Sequence, residues 1–256
     1  KKITSQKCCS VFHCNESLGE KNSVKKAEQE LKNRYESLEN KYDKFLAGNY
    51  DYKANTYETN KINLLSNPTS LYTKQPTVYY GLMYLAKNAK KEVKIHTPYI
   101  ICNDYMYKEL KNIKVPTTIM TNSAENNGNI FGAVDYLNHK KDIINTGVTI
   151  KEYEGGISYH GKSMTIDDDI AIVGSFNMDM RSAYIDTELM LVINSKDINK
   201  QLKASMEEYE KKAATVKNET EYSHIPEGMK MKELSDKKKN IKAWFGWAMN
   251  GLRFLF

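Results

Sequence analysis

The sequence predicts an α/β fold, a mixed and largely parallel β-sheet flanked by helices. Three observations predict it. Short β-rich runs alternate with helix-period segments between residues 61 and 212, the order that lays parallel strands under crossover helices. The chain has 256 residues, 40% apolar and 27% charged, which suffices to bury the core of one large or two small domains and excludes a disordered chain or a fibre. No uncharged apolar run approaches the roughly 18 residues of a membrane span. Lysine and arginine exceed aspartate and glutamate, for a net charge of +6, a mild positive balance that suits an anionic partner.

Each element has its own signal. In residues 23–46, Val24, Leu31, Tyr35, Leu38, Tyr42 and Phe45 recur at helical spacing, predicting an N-terminal amphipathic helix. Residues 47–60 read as a polar connector. Residues 61–65 form a strand closed by Asn67-Pro68, and Val78, Leu82, Leu85 and Ala89 mark a helix. Residues 92–97 alternate as a strand stopped by Pro98. A short helix over 105–112 and a strand over 117–121 follow. The helix at 130–145 is capped by Gly147, and a strand over 148–153 runs into Gly155-Gly156. Residues 163–166 and 170–173 are strands joined by Asp167-Asp168-Asp169, read as a hairpin turn with solvated carboxylates rather than a metal site. A strand over 188–193 and a polar helix over 198–212 close the layer. The rest is Lys/Glu-rich and ends in an apolar, aromatic stretch after Lys237-Lys238-Lys239.

Four cysteines are too few for a disulfide scaffold. Cys8, Cys9 and Cys14 crowd the N-terminus beside His13 and read as a reduced cluster without a role, with metal binding or lipidation as alternatives. No secretory signal stands at the start, and the opening Lys1-Lys2 suggests a fragment or processed product.

The chemistry concentrates in His160-Gly161-Lys162, Asp167, Gly174-Ser175-Phe176-Asn177 and Glu188. A histidine and a lysine two residues apart on extended chain point the same way. Ser175 and Asn177 add a hydroxyl and an amide at the next strand end. An imidazole, a cation and neutral donors together fit a phosphoryl group, whose charge disperses as it reacts. No Gly-rich nucleotide loop is present.

This pattern resembles the signature of the phospholipase D superfamily, His-x-Lys-x4-Asp followed by Gly-Ser-x-Asn, matched at His160, Lys162, Asp167, Gly174, Ser175 and Asn177. Asp179-Met180-Arg181-Ser182, Thr187-Glu188 and Thr97-Pro98-Tyr99 resemble the cardiolipin-synthase branch. The resemblance spans residues 61–212 and implies a phospholipase D-like catalytic half-domain there. It makes residues 1–60 a linker or remnant of a missing half, and 213–256 a basic, aromatic tail. It further implies that two motifs face each other. One histidine attacks phosphorus to form a phosphohistidine, and the other protonates the leaving alcohol and then activates the incoming one. His160 is assigned that second role. Lys162, Ser175 and Asn177 hold phosphate oxygens, and Glu188 accepts a hydrogen bond from His160. Asp167 and Gly174 are structural. No metal or other cofactor is implied.

Only one complete motif is found. His139-Lys140-Lys141 lacks the aspartate and the Gly-Ser-x-Asn, and His13, His96 and His224 lack a lysine two residues on. Either a missing N-terminal half or a second copy must complete the site. The expected function is therefore phosphatidyl transfer to phosphatidylglycerol on an anionic phospholipid surface. The expected place is the cytoplasmic side of the membrane, peripheral or anchored through a missing segment. Lys237–Lys242 followed by Trp244, Phe245, Trp247, Met249, Leu252, Phe254, Leu255 and Phe256 either lies on the membrane or docks on the fold. The alternatives are a phosphodiesterase or nuclease completed by homodimerisation, nucleic acid being the weaker partner, and a non-catalytic half-domain that binds anionic lipid.

Overall fold

The computed structural model describes residues 22–41, 51–69, 72, 74–245, 251 and 253. Two compact units divide the chain, residues 1–56 and 57–256. In the first, helix α1 (Asn22–Lys41) forms. The pairs Glu28–Lys32 (2.8 Å) and Glu30–Arg34 (2.6 Å) tie successive turns. Val24, Leu31, Tyr35 and Leu38 are exposed, and no residue of α1 is buried. Tyr42, Phe45, His13 and the three N-terminal cysteines lie outside the described residues.

The second unit opens with β1 (Lys61–Ser66), α2 (Thr77–Lys87), β2 (Val93–His96), β3 (Ile100–Ile101), α3 (Asp104–Lys111), β4 (Thr117–Asn122), α4 (Ile130–Ile144) and β5 (Thr149–Tyr153). Asn103 caps α3 through the Met106 amide and Asn129 caps α4 through the Phe131 and Gly132 amides. Gly147 takes φ +86 after α4, a conformation that glycine adopts without steric cost. The chain continues through β6 (Ser163–Ile166), β7 (Ile170–Gly174), β8 (Met178–Asp179), α5 (Met180–Tyr184), β9 (Leu189–Asn194) and α6 (Lys196–Glu210). It closes with β10 (Ala213–Val216), β11 (Tyr222–His224) and α7 (Asp236–Phe245).

Nine of these strands form one sheet in the order β1-β9-β7-β6-β2-β4-β5-β10-β11, and β3 pairs with β8 apart from it. The sheet is mixed and flanked by helices, but not largely parallel as the sequence suggested. Within it only β2–β4 and β4–β5 are parallel; its other neighbours are antiparallel. The parallel pairs are those joined by the α3 and α4 crossovers, whereas the three-aspartate turn returns β7 directly alongside β6. The sheet also continues past residue 212. Ala213 and Ala214 are buried where β10 pairs with β5, but two alanines carry no strand signal of their own.

The two sheet faces are set by alternation. Val93 and Ile95 face a core built with Leu82, Met106 and Ile143 from α2, α3 and α4. Lys94 and His96 face the other way and meet Glu207 and Glu210 of α6. Burial opposes the charge on Glu210, but hydrogen bonds from His96 and Lys151, with the charges of Lys151 and Lys94, outweigh it and bring its carboxyl to about 2. A carboxyl depressed on folding stabilises the fold fully above its unfolded value near 4.5, and that contribution fades as pH falls through 2. The contribution is about 3 kcal/mol at neutral pH. Glu210→Gln should therefore flatten the acid limb of the stability curve between pH 4.5 and 2 in urea titrations. An unchanged limb would remove this pair from the acid response.

Of the C-terminal tail, Trp244 stands exposed on α7. Arg253 reaches the buried Asp135 carboxylate at 2.6 Å and the Cys102 carbonyl at 2.8 Å. Lys238 donates to the carbonyls of Ala124, Glu125 and Asn127. These contacts tie described parts of the tail to the unit. Trp247, Met249, Leu252, Phe254, Leu255 and Phe256 lie outside the described residues.

Candidate active site

His160 and Lys162 sit on the extended segment entering β6. The Lys162 ammonium lies 2.8 Å from His160 Nδ1 and 2.7 Å from the His160 carbonyl oxygen. The same ammonium lies 3.4 Å from His160 Nε2, so it sits against the ring as a whole. Partial burial and the neighbouring Lys162 cation hold the imidazole below its ordinary pKa. Burial also lowers Lys162, against the pull of the Glu188 and Asp179 carboxylates. The outcome is a neutral imidazole at neutral pH beside an ammonium whose proton is more readily given up than that of a free lysine.

Ser175 and Asn177 lie on the turn leaving β7. Ser175 Oγ donates to Glu188 Oε2 and accepts from the Leu189 amide at 3.0 Å. Ser182 Oγ donates to Glu188 Oε1 at 2.7 Å and accepts from the Asn177 side-chain amide at 3.3 Å. The buried Glu188 carboxylate thus organises two serines, and the expected hydrogen bond from His160 is absent. The cause is register. Gly174 pairs with Met190 across β7 and β9, which sets Glu188 beside the Ser175 turn, while the imidazole nitrogens face Lys162. Gly174 is required because a Cβ there would collide with the Leu189 carbonyl oxygen.

Asp167 is at the far end of β6. It lies five residues from Lys162, on the order of 16 Å at strand rise. Its backbone is left-handed, φ 53, and its carboxylate accepts the amides of Lys90, Lys91 and Glu92. Burial raises its pKa, but those three amides outweigh burial and lower it. It ties the hairpin to the α2–β2 loop. Asp168 pairs with Lys91 in solvent. Among the described residues no group of three or more His, Cys, Asp or Glu could hold a metal. His139 lies on α4 against the Asp135 carbonyl, as a polar helix residue would.

Two residues have supporting roles that the sequence did not assign. Asn122 is buried at the end of β4. Its Oδ1 accepts from the Tyr159 amide at 2.7 Å, and its Nδ2 donates to the Tyr159 carbonyl at 2.9 Å and the Pro98 carbonyl at 2.8 Å. It clamps the residue before His160 as another strand would. Nothing local marks it, because its partners are 24 and 37 positions away. Asn122→Ala should cost about 2 kcal/mol by leaving buried partners unpaired and speed amide exchange at Tyr159. Unaltered exchange would show that the clamp is idle. Asp179 caps α5 through the Ser182 amide at 2.5 Å, and its burial pushes its carboxyl up to about 6.

Comparison with known proteins places this geometry. The family described as "Cardiolipin synthase, PLD-like domain" matches residues 82–209, half of the chain. The chain is 30% identical to cardiolipin synthase 1 of Staphylococcus epidermidis over 159 residues, which is 61% of this chain and 32% of that protein. It is 31% identical to a cardiolipin synthase of Staphylococcus aureus over 129 residues, 49% of this chain and 26% of that one. The chain thus spans about a third of the length of the curated relatives it matches. Phosphatidylserine synthase of Haemophilus influenzae shares the fold with TM-score 0.57 at 16% identity, over 76% of this chain and 48% of that one. With that family match over half its length, the chain belongs to the phospholipase D superfamily, as a cardiolipin synthase-like member.

Proposed function

We propose that the chain supplies one half of a phosphatidyltransferase site that makes cardiolipin from phosphatidylglycerol. The observation that carries this reading is the contact of His160 with Lys162, beside the serines held by Glu188. In the first step a histidine of the complementary motif attacks the donor's phosphorus. The imidazole of His160, neutral at rest, first takes up a proton; an N–P bond then forms as the P–O bond to the leaving alcohol breaks, and His160 passes that proton to the alcohol. In the second, the acceptor hydroxyl loses its proton to His160 as its oxygen bonds phosphorus and the N–P bond breaks. Lys162 would neutralise charge on the phosphate oxygens, and the Ser175 hydroxyl and Asn177 amide would donate to them, Ser175 turning from Glu188 and Asn177 from Ser182 to do so. Glu188 acts through the two serines.

The complementary half comes either from a longer chain or from a second copy, and the acceptor lies in an anionic membrane surface on its cytoplasmic side. No described helix is long and apolar enough to cross a membrane. The test supplies radiolabelled phosphatidylglycerol in vesicles to the chain, alone and with a half-domain bearing a second His-x-Lys. Labelled cardiolipin that requires the second motif is the expected product. Labelled phosphatidic acid alone would make the enzyme a hydrolase, and no product in either arm would count against catalysis.

A further inference from the structure

A groove of about 670 Å³ opens beside the His160 loop on the sheet face that carries α6. Tyr153, Tyr159 and Tyr209 wall it, Ser205 and Lys212 stand on its α6 side, and His160 and Lys162 border it. No carboxylate is among the residues that line it. The Lys212 ammonium forms no ion pair among the described residues, in a unit where most buried carboxylates are already paired. An anion is therefore the charged ligand this groove favours.

The rings decide what else it takes. Tyr159 and Tyr209 meet edge to face at 4.8 Å, and Tyr153 meets each of them at 5.9 Å. Rings locked edge to face present no parallel pair that would sandwich a flat base. They offer hydroxyls and ring edges, which suit the alternating C–H and O–H surface of a polyol. Two glycines make this possible. A Cβ on Gly161 would collide with the Tyr159 hydroxyl, and one on Gly155 with the Tyr153 hydroxyl, so each tyrosine lies over its glycine. Gly161 is the middle residue of His-x-Lys, which couples the tyrosine wall to the histidine.

We propose that this groove seats the acceptor, a glycerophosphate diester with free glycerol hydroxyls. Lys212 takes its phosphate, the hydroxyls of Tyr209 and Ser205 take its glycerol, and its reacting hydroxyl is presented to His160. The assignment rests on the phosphatidyltransferase reading. It separates the acceptor's subsite from the phosphate held by Lys162.

Calorimetric titration of the full chain tests it with three probes: inorganic phosphate, soluble glycerophosphoglycerol, and phosphatidylglycerol in phosphatidylcholine vesicles. Lys212→Ala and Tyr209→Phe, which spares the ring packing, should each weaken the glycerol-bearing probes about five- to tenfold, whereas Lys162→Ala should weaken inorganic phosphate and leave the dependence of the glycerol-bearing probes on Lys212 intact. A Lys212 dependence with the soluble diester assigns recognition to the headgroup alone. A dependence seen only with vesicles assigns it to the lipid. Either result supports the groove. No effect of Lys212→Ala or Tyr209→Phe on either glycerol-bearing probe overturns it, and leaves the reading of the site standing if Lys162→Ala still weakens phosphate. Phosphate binding indifferent to Lys162→Ala would fail the reading of the site itself, and with it the acceptor assignment.

Discussion

Replacing His160 by alanine in the completed two-motif enzyme should lower cardiolipin formation by about a thousandfold, the middle of the range for loss of a proton-transfer group. The same substitution should leave the melting temperature within a degree or two. Both halves of this expectation follow from placement. His160 is exposed on the segment before β6, and its side chain meets Lys162 rather than the core. Removing the ring therefore costs little packing. It does remove the group that the proposed mechanism uses to donate a proton in one step and accept one in the next. A pH–rate profile adds a check. The imidazole sits below its usual pKa because of burial and Lys162. Lys162→Met should therefore raise the apparent basic group toward the ordinary histidine value while slowing turnover. Full turnover in His160→Ala would eliminate the mechanism.

Gly174→Ala should be the most damaging small substitution for the fold near the site, at roughly 2–3 kcal/mol for forced overpacking. The added methyl meets the Leu189 carbonyl and the Met190 thioether. Met190 can change rotamer, but the carbonyl belongs to the β7–β9 ladder and cannot move alone. The strain should spread into Ser175, whose hydroxyl is held by Glu188 and the Leu189 amide. A melting temperature lowered by about 5–10 °C is expected, with phosphate affinity falling alongside it. A variant as stable as the parent would mean that the two strands can part there without cost.

Most elements could be read from the sequence because their causes are local. The 3.6-residue spacing of Val78, Leu82 and Leu85 produces α2, and Pro98 stops β2 where the pattern ends. The site residues were legible as a set because His160 and Lys162 share a side of one extended segment, whatever surrounds them. The short strands β3, β8, β10 and β11 were not legible. Two- to four-residue runs such as Ile100–Ile101 are too brief for a period to show, and their pairing with distant strands creates them.

The sequence alone determined the His-x-Lys-x4-Asp and Gly-Ser-x-Asn set, the alternation of helices and strands, and the turn at Asp167. The alternation and the turn follow from residues within a few positions of one another, and the set from the spacing of its motif. Tertiary structure decided which strands are neighbours, and so that most pairings are antiparallel. It decided that Glu188 serves Ser175 and Ser182 rather than His160, and that Asn122 holds Tyr159. These outcomes depend on partners brought together from far along the chain. They are chosen by register and shared burial across the sheet, about which local periodicity carries no information.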